Sequence, residues 1–121
     1  MDQGQRTVLV GFHSGVEFQE EYLRSLGYDV TPVTTLEEML THMRDRSFDG
    51  YFMDLNLGHP DTTDVSPAEE VYKKVKDRVE RGEAKFLGLS GNYRAVRKAE
   101  EKDIPCAEKG LALERIKEIF G

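Results

Sequence analysis

Cysteine is nearly absent from this 121-residue chain: Cys106 stands alone, so no internal disulfide can form and a reducing, cytoplasmic setting is expected. Tryptophan is missing and proline occurs only four times. No apolar run approaches the ~18 residues of a membrane span, and residues 1–6 are too polar for a secretory leader. Positive charge is in deficit. Seventeen Lys and Arg against 23 Asp and Glu leave a net charge of −6, the wrong sign for broad contact with nucleic-acid phosphates. These absences predict a soluble protein that binds neither membrane nor nucleic acid. The length suits one domain over residues 1–121.

What is present is alternation. Residues 7–12 (TVLVGF) form an apolar, β-branched run of the kind buried in parallel sheets. Ser14 is a candidate cap for the helix that follows, on which Val16, Tyr22, Leu23 and Leu26 share a face and Gly27 is the stop. Residues 28–33 (YDVTPV) read as a second strand, with Pro32 directing it to a sheet edge. Thr35 and Glu38 have capping-box spacing ahead of the stripe Leu36, Met39, Leu40 and Met43. Residues 49–55 (DGYFMDL) form a third strand that carries Asp54 at its end. A polar loop, residues 58–65, leads to a helix with Ser66 as expected cap, Pro67 in first position and Glu69 closing a capping box. Residues 85–89 and 104–107 are the fourth and fifth strands, separated by a helix over 93–101. Leu113, Ile116 and Phe120 mark the last helix.

Strands separated by helices need crossovers, so the pattern predicts an α/β fold with a parallel sheet covered on both faces. In such sheets chemistry collects at the carboxyl ends of the strands. Here those ends supply His13, Asp54, Ser90 and Lys109. A carboxylate, a hydroxyl and an ammonium suit phosphoryl transfer to a carboxylate. Asp54 would be the nucleophile, with Lys109 and Ser90 on the phosphoryl oxygens.

These segments resemble the receiver domains of response regulators, the CheY-like family, over nearly the whole chain. GYFMDLNL resembles the strand that ends in the acceptor aspartate, here Asp54. LSGN resembles the next strand end, with Ser90 and Gly91, and AEKG resembles the last, with Lys109. The resemblance implies a flavodoxin-like (βα)5 sandwich with a five-stranded parallel sheet of order 2-1-3-4-5. It implies Asp54 as phosphoacceptor with Lys109 and Ser90 as its partners, and Mg²⁺ held by Asp54 and the backbone carbonyl of Asn56. It further implies a histidine kinase or phosphotransfer protein as donor and a downstream protein as receiver of the signal. Its only catalysis is acceptance of the phosphoryl group and its autodephosphorylation.

The pattern breaks in four places. The first strand of the family ends in two acidic residues that help bind Mg²⁺; here Gly11, Phe12 and His13 stand there, which predicts weak Mg²⁺ binding at best. Cys106 replaces an aromatic residue three before Lys109, and Gly110 replaces the proline after it. The 58–65 loop, with His59, Asp61 and Asp64, lacks the family's usual pattern and reads better as a solvated loop than as an accessory metal or partner site. Two alternatives follow. One is a degenerate pseudo-receiver that acts as a phosphorylation-independent interaction module. The other is a small-molecule binder that uses the glycine-bearing turn 11–15, although that turn matches no nucleotide-binding fingerprint.

Overall fold

The computed structural model describes residues 6–121. Five strands and five helices alternate: β1 (Arg6–Gly11), α1 (Glu17–Ser25), β2 (Tyr28–Val33), α2 (Leu36–Asp45), β3 (Gly50–Asp54), α3 (Ser66–Glu80), β4 (Lys85–Ser90), α4 (Tyr93–Glu101), β5 (Cys106–Glu108) and α5 (Ala112–Phe120). A short 3-10 helix, Lys109–Leu111, joins β5 to α5. The strands form one parallel sheet of order β2-β1-β3-β4-β5, the flavodoxin-like arrangement expected. Pro32 lies in β2, an edge strand, where a missing N–H costs no ladder bond on the open side.

Side chains alternate across the strands and build two cores. Leu9, Tyr51, Met53 and Phe86 pack under α2, α3 and α4 with Met39, Val71, Val75, Val96 and Ala99. Val8, Val10, Phe52, Leu87 and Leu89 pack under α1 and α5 with Leu23, Ile116 and Phe120. Burial of both faces explains why β1, β3 and β4 read as continuous apolar runs rather than alternating ones. Gly50 and Gly88 are close-packing positions. A Cβ on Gly50 would meet the Phe120 ring at 2.7 Å, and one on Gly88 would run into Leu55 Cδ2.

Several local expectations hold and others change. Thr35 caps α2, its hydroxyl accepting from Glu38 N at 3.1 Å, while the Glu38 carboxylate reaches back to Thr34 N at 2.9 Å. Gly27 stands just past α1 with φ +98, a conformation that suits glycine. Ser14 does not cap α1: the cap position is Val16, without a side-chain bond. Ser66 does not cap α3 either. It lies inside the helix, and Asp64 Oδ1 accepts its N–H at 2.8 Å, so the capping box with Glu69 is not formed. β5 begins at Cys106, two residues later than its apolar run, because Ile104 turns into the core under α4 and its N–H bonds back to Ala99 O at 3.0 Å. Arg78 is part-buried. It donates to Tyr51 Oη at 3.1 Å and to Phe48 O at 2.8 Å, locking α3 to the approach of β3.

Candidate active-site cleft

The sheet register brings the expected residues together. Asp54 pairs with Leu89, so Ser90 projects one residue further on β4. Ser90 in turn pairs with Glu108, the last residue of β5, so Lys109 follows one step beyond the strand. The three strand ends therefore step across one edge of the sheet. They line a single open cleft of about 510 Å³ with Asn56, Thr62, Gly91, Asn92 and Tyr93.

Each group is held locally. Asp54 is half-buried, and the next residue, Leu55, is pinned by its N–H to Leu89 O at 2.8 Å and seated on the bare backbone of Gly88. Ser90 is 3% exposed, a buried hydroxyl at the end of β4. Its Oγ accepts the Asn92 N–H at 2.9 Å; Asn92, not Ser90, is the cap of α4, accepting Arg94 N at 2.9 Å. The Lys109 stem runs beside Gly91, whose added Cβ would lie 3.8 Å from Lys109 Cδ.

Burial pushes the Asp54 carboxyl above its ordinary range. The Lys109 ammonium and the Asn56 backbone amide pull it back down. Opposing influences of this kind are typical of a carboxylate kept ionisable inside a partly dry cleft.

The sequence did not point to Thr62, Asn92 or Tyr93. Asn92 directly after Ser90-Gly91 and ahead of a helix was readable as a cap. Thr62 carried no signal, because its partner Asn92 is thirty residues away, with Nδ2 donating to Thr62 Oγ1 at 2.9 Å. His13 is exposed and does not line the cleft. In the 58–65 loop, His59 pairs with Asp64 at 3.3 Å, Asp61 N donates to His59 Nδ1 at 3.1 Å, and Asp61 Oδ1 takes Thr63 N at 2.9 Å. Among the described residues no group of His, Cys, Asp or Glu is arranged to hold a metal ion.

A Mg²⁺ ion asks for several hard oxygens in near-octahedral array. The cleft offers one carboxylate, Asp54. The Asn56 carbonyl is already accepting His59 N–H at 2.7 Å. At the end of β1, Phe12 is buried with its ring on Phe52, centroids 4.8 Å apart, so that position offers no oxygen ligand. This donor set does not fit a firmly held Mg²⁺ ion.

No family model matches the chain, and no curated protein matches it. Solved structures do. A candidate response regulator from Chloroflexus aurantiacus aligns with TM-score 0.72 at 20% identity, over 94% of this chain and 93% of that one. The chain has the receiver-domain fold. A CheY-like receiver domain from Methylobacillus flagellatus aligns with TM-score 0.66 at 22% identity, over 94% and 97% of the two chains. The receiver domain of a sensor histidine kinase from Pseudomonas aeruginosa, with a magnesium ion coordinated in its active-site cleft, aligns with TM-score 0.60 at 24% identity over 93% of each chain. The correspondence of receiver-fold strand order with this chain's element order is complete among the described residues. No helix among them is long and apolar enough to cross a membrane.

Proposed function

We propose that this receiver-fold chain is a signalling module of a two-component system, in which Asp54 accepts a phosphoryl group from a phosphohistidine on a histidine kinase or phosphotransfer protein. The supporting observation is the meeting of Asp54, Ser90 and Lys109, from three separate strand ends, in one cleft. An Asp54 carboxylate oxygen attacks phosphorus. The O–P bond forms as the N–P bond to the imidazole breaks, and the nitrogen keeps the electron pair and then takes a proton. The Lys109 ammonium and the Ser90 hydroxyl face the charge on the non-bridging oxygens. The modified cleft then biases α4, whose cap Asn92 is hydrogen-bonded to Ser90, and so the surface offered to a downstream protein in the cytoplasm.

A second reading has its own support. The buried Phe12 and the single carboxylate of the cleft favour a pseudo-receiver that keeps the fold as a constitutive docking module. Amide spectra recorded with acetyl phosphate separate the two. The first reading predicts shifts at Asp54, Ser90, Asn92 and Lys109; an unchanged spectrum favours the second.

A further inference from the structure

Asn92 makes three hydrogen bonds beside the cleft, two through its side chain and one through its backbone N–H. Its Oδ1 caps α4 by accepting Arg94 N at 2.9 Å. Its backbone N–H donates to Ser90 Oγ at 2.9 Å. Its Nδ2 crosses the mouth of the cleft to Thr62 Oγ1, again at 2.9 Å. A hydroxyl has one donor hydrogen and two acceptor lone pairs. Both hydroxyls therefore spend an acceptor site on Asn92, which turns their own hydrogens away from it. Among the described residues, neither hydrogen is donated to a protein acceptor, and both residues line the cleft with Asp54 and Lys109.

We propose that Asn92 is a positioning residue that aims two hydroxyl donors, those of Ser90 and Thr62, at a phosphoryl group carried on Asp54, so that Thr62 is a further phosphoryl-binding residue. The inference rests on the reading of Asp54 as the acceptor. Its chemistry follows from the poverty of cation in the cleft. A phosphoryl group on a carboxylate brings two negative charges beside a single ammonium, Lys109. Where metal ligands are sparse, aligned hydroxyl donors are what remains to satisfy the outer oxygens. Thr62 stands on the loop between β3 and α3, and Ser90 at the end of β4. The link through Asn92 thus holds two walls of the cleft at a fixed spacing, with less ordering left to occur when the group arrives.

Beryllofluoride, a tetrahedral stand-in for a phosphoryl group on a carboxylate, is the probe, with bound fluorine read by 19F NMR on the full chain. Thr62→Val removes the hydroxyl at an exposed position. Asn92→Ser keeps a good helix cap and the backbone N–H but loses the amide that reaches Thr62. Each is expected to weaken binding about tenfold, one charge-assisted hydrogen bond's worth. The double variant should be no worse than either single by more than about twofold, since both remove the same linkage. Thr62→Ser, which retains the hydroxyl, should bind within about twofold of the parent. Parent-like binding by Thr62→Val and Asn92→Ser, or a Thr62→Ser variant as weak as Thr62→Val, overturns the inference while leaving Asp54 as acceptor. If the parent chain takes up no beryllofluoride, the reading of Asp54 and this inference fall together.

Discussion

The ring of Phe12 lies on that of Phe52 with centroids 4.8 Å apart and planes 52° from parallel, closing the end of β1 with hydrocarbon. In the receiver family that the sequence resembles, acidic residues at this strand end hold a metal; here the position belongs to the core beneath α1 and α5. Phe12→Ala should cost about 3 kcal/mol of stability, the usual loss for a buried phenyl ring. Urea unfolding of the variant measures it. A loss within the error of the method would mean that the ring is not packed as described.

Magnesium should bind weakly. With Asp54 as the only carboxylate lining the cleft among the described residues, titration with Mg²⁺ is expected to move the amide signals of Asp54, Asn56 and Ser90 without saturation across the millimolar range. Saturation at low millimolar concentration, with shifts confined to the cleft, would contradict the assignment of a metal-poor site.

The Asp54 carboxyl should reveal itself in the pH dependence of stability. Burial raises its pKa more than Lys109 and the Asn56 amide lower it. The folded chain therefore holds this proton more tightly than the unfolded chain. The stability it contributes is complete below the unfolded value, near the ordinary carboxylate pKa of 3.8, and is lost as pH rises through the raised folded value. At neutral pH the ionised group is a net cost. Asp54→Asn should thus raise the melting temperature at neutral pH, with the difference narrowing in acid. Lys109→Met should do the opposite at neutral pH by removing the compensating charge. Melting curves of the three proteins at neutral and acid pH test both signs.

Cys106 should be inert while the chain is folded. It is buried, its Sγ donates to Val96 O at 3.6 Å, and burial pushes the thiol up to about 11. Reaction with a thiol reagent near neutral pH is expected to proceed only at the rate of unfolding. Fast labelling of the native protein would refute this.

Tyr51 carries a network that joins three segments. Its hydroxyl accepts Phe48 N at 3.0 Å and an Arg78 N–H at 3.1 Å. Tyr51→Phe leaves the buried Phe48 N–H without that acceptor, a cost of about 1–3 kcal/mol. Denaturant unfolding of the variant gives the figure directly.

The architecture was legible because each level agreed with the next. The apolar runs over β1, β3 and β4 marked a sheet buried on both faces, and Pro32 marked its edge. The strand ends then led to Asp54, Ser90 and Lys109, which the register brings into one cleft. What escaped was chemistry between loops. Ser66 had the residue type and spacing of a cap, yet Asp64, two residues earlier, took its N–H. Thr62 meets Asn92 only after the β3–α3–β4 crossover has folded, so no local pattern announces it. Arg78 finds its partners, Tyr51 and Phe48, only across the packed α3–β3 contact, which no local pattern marks. Phe12 was visible as a missing acid, but that its ring fills the corner is a fact of packing.

The acceptor role of Asp54 is tested most directly by intact-protein mass spectrometry after incubation with phosphoramidate, a small donor that carries the same N–P bond as phosphohistidine. A mass gain of one phosphoryl group is expected on the parent chain, labile to hydroxylamine as an acyl phosphate is, and no gain on Asp54→Asn. An unmodified parent chain, or an equal gain on Asp54→Asn, would contradict that role.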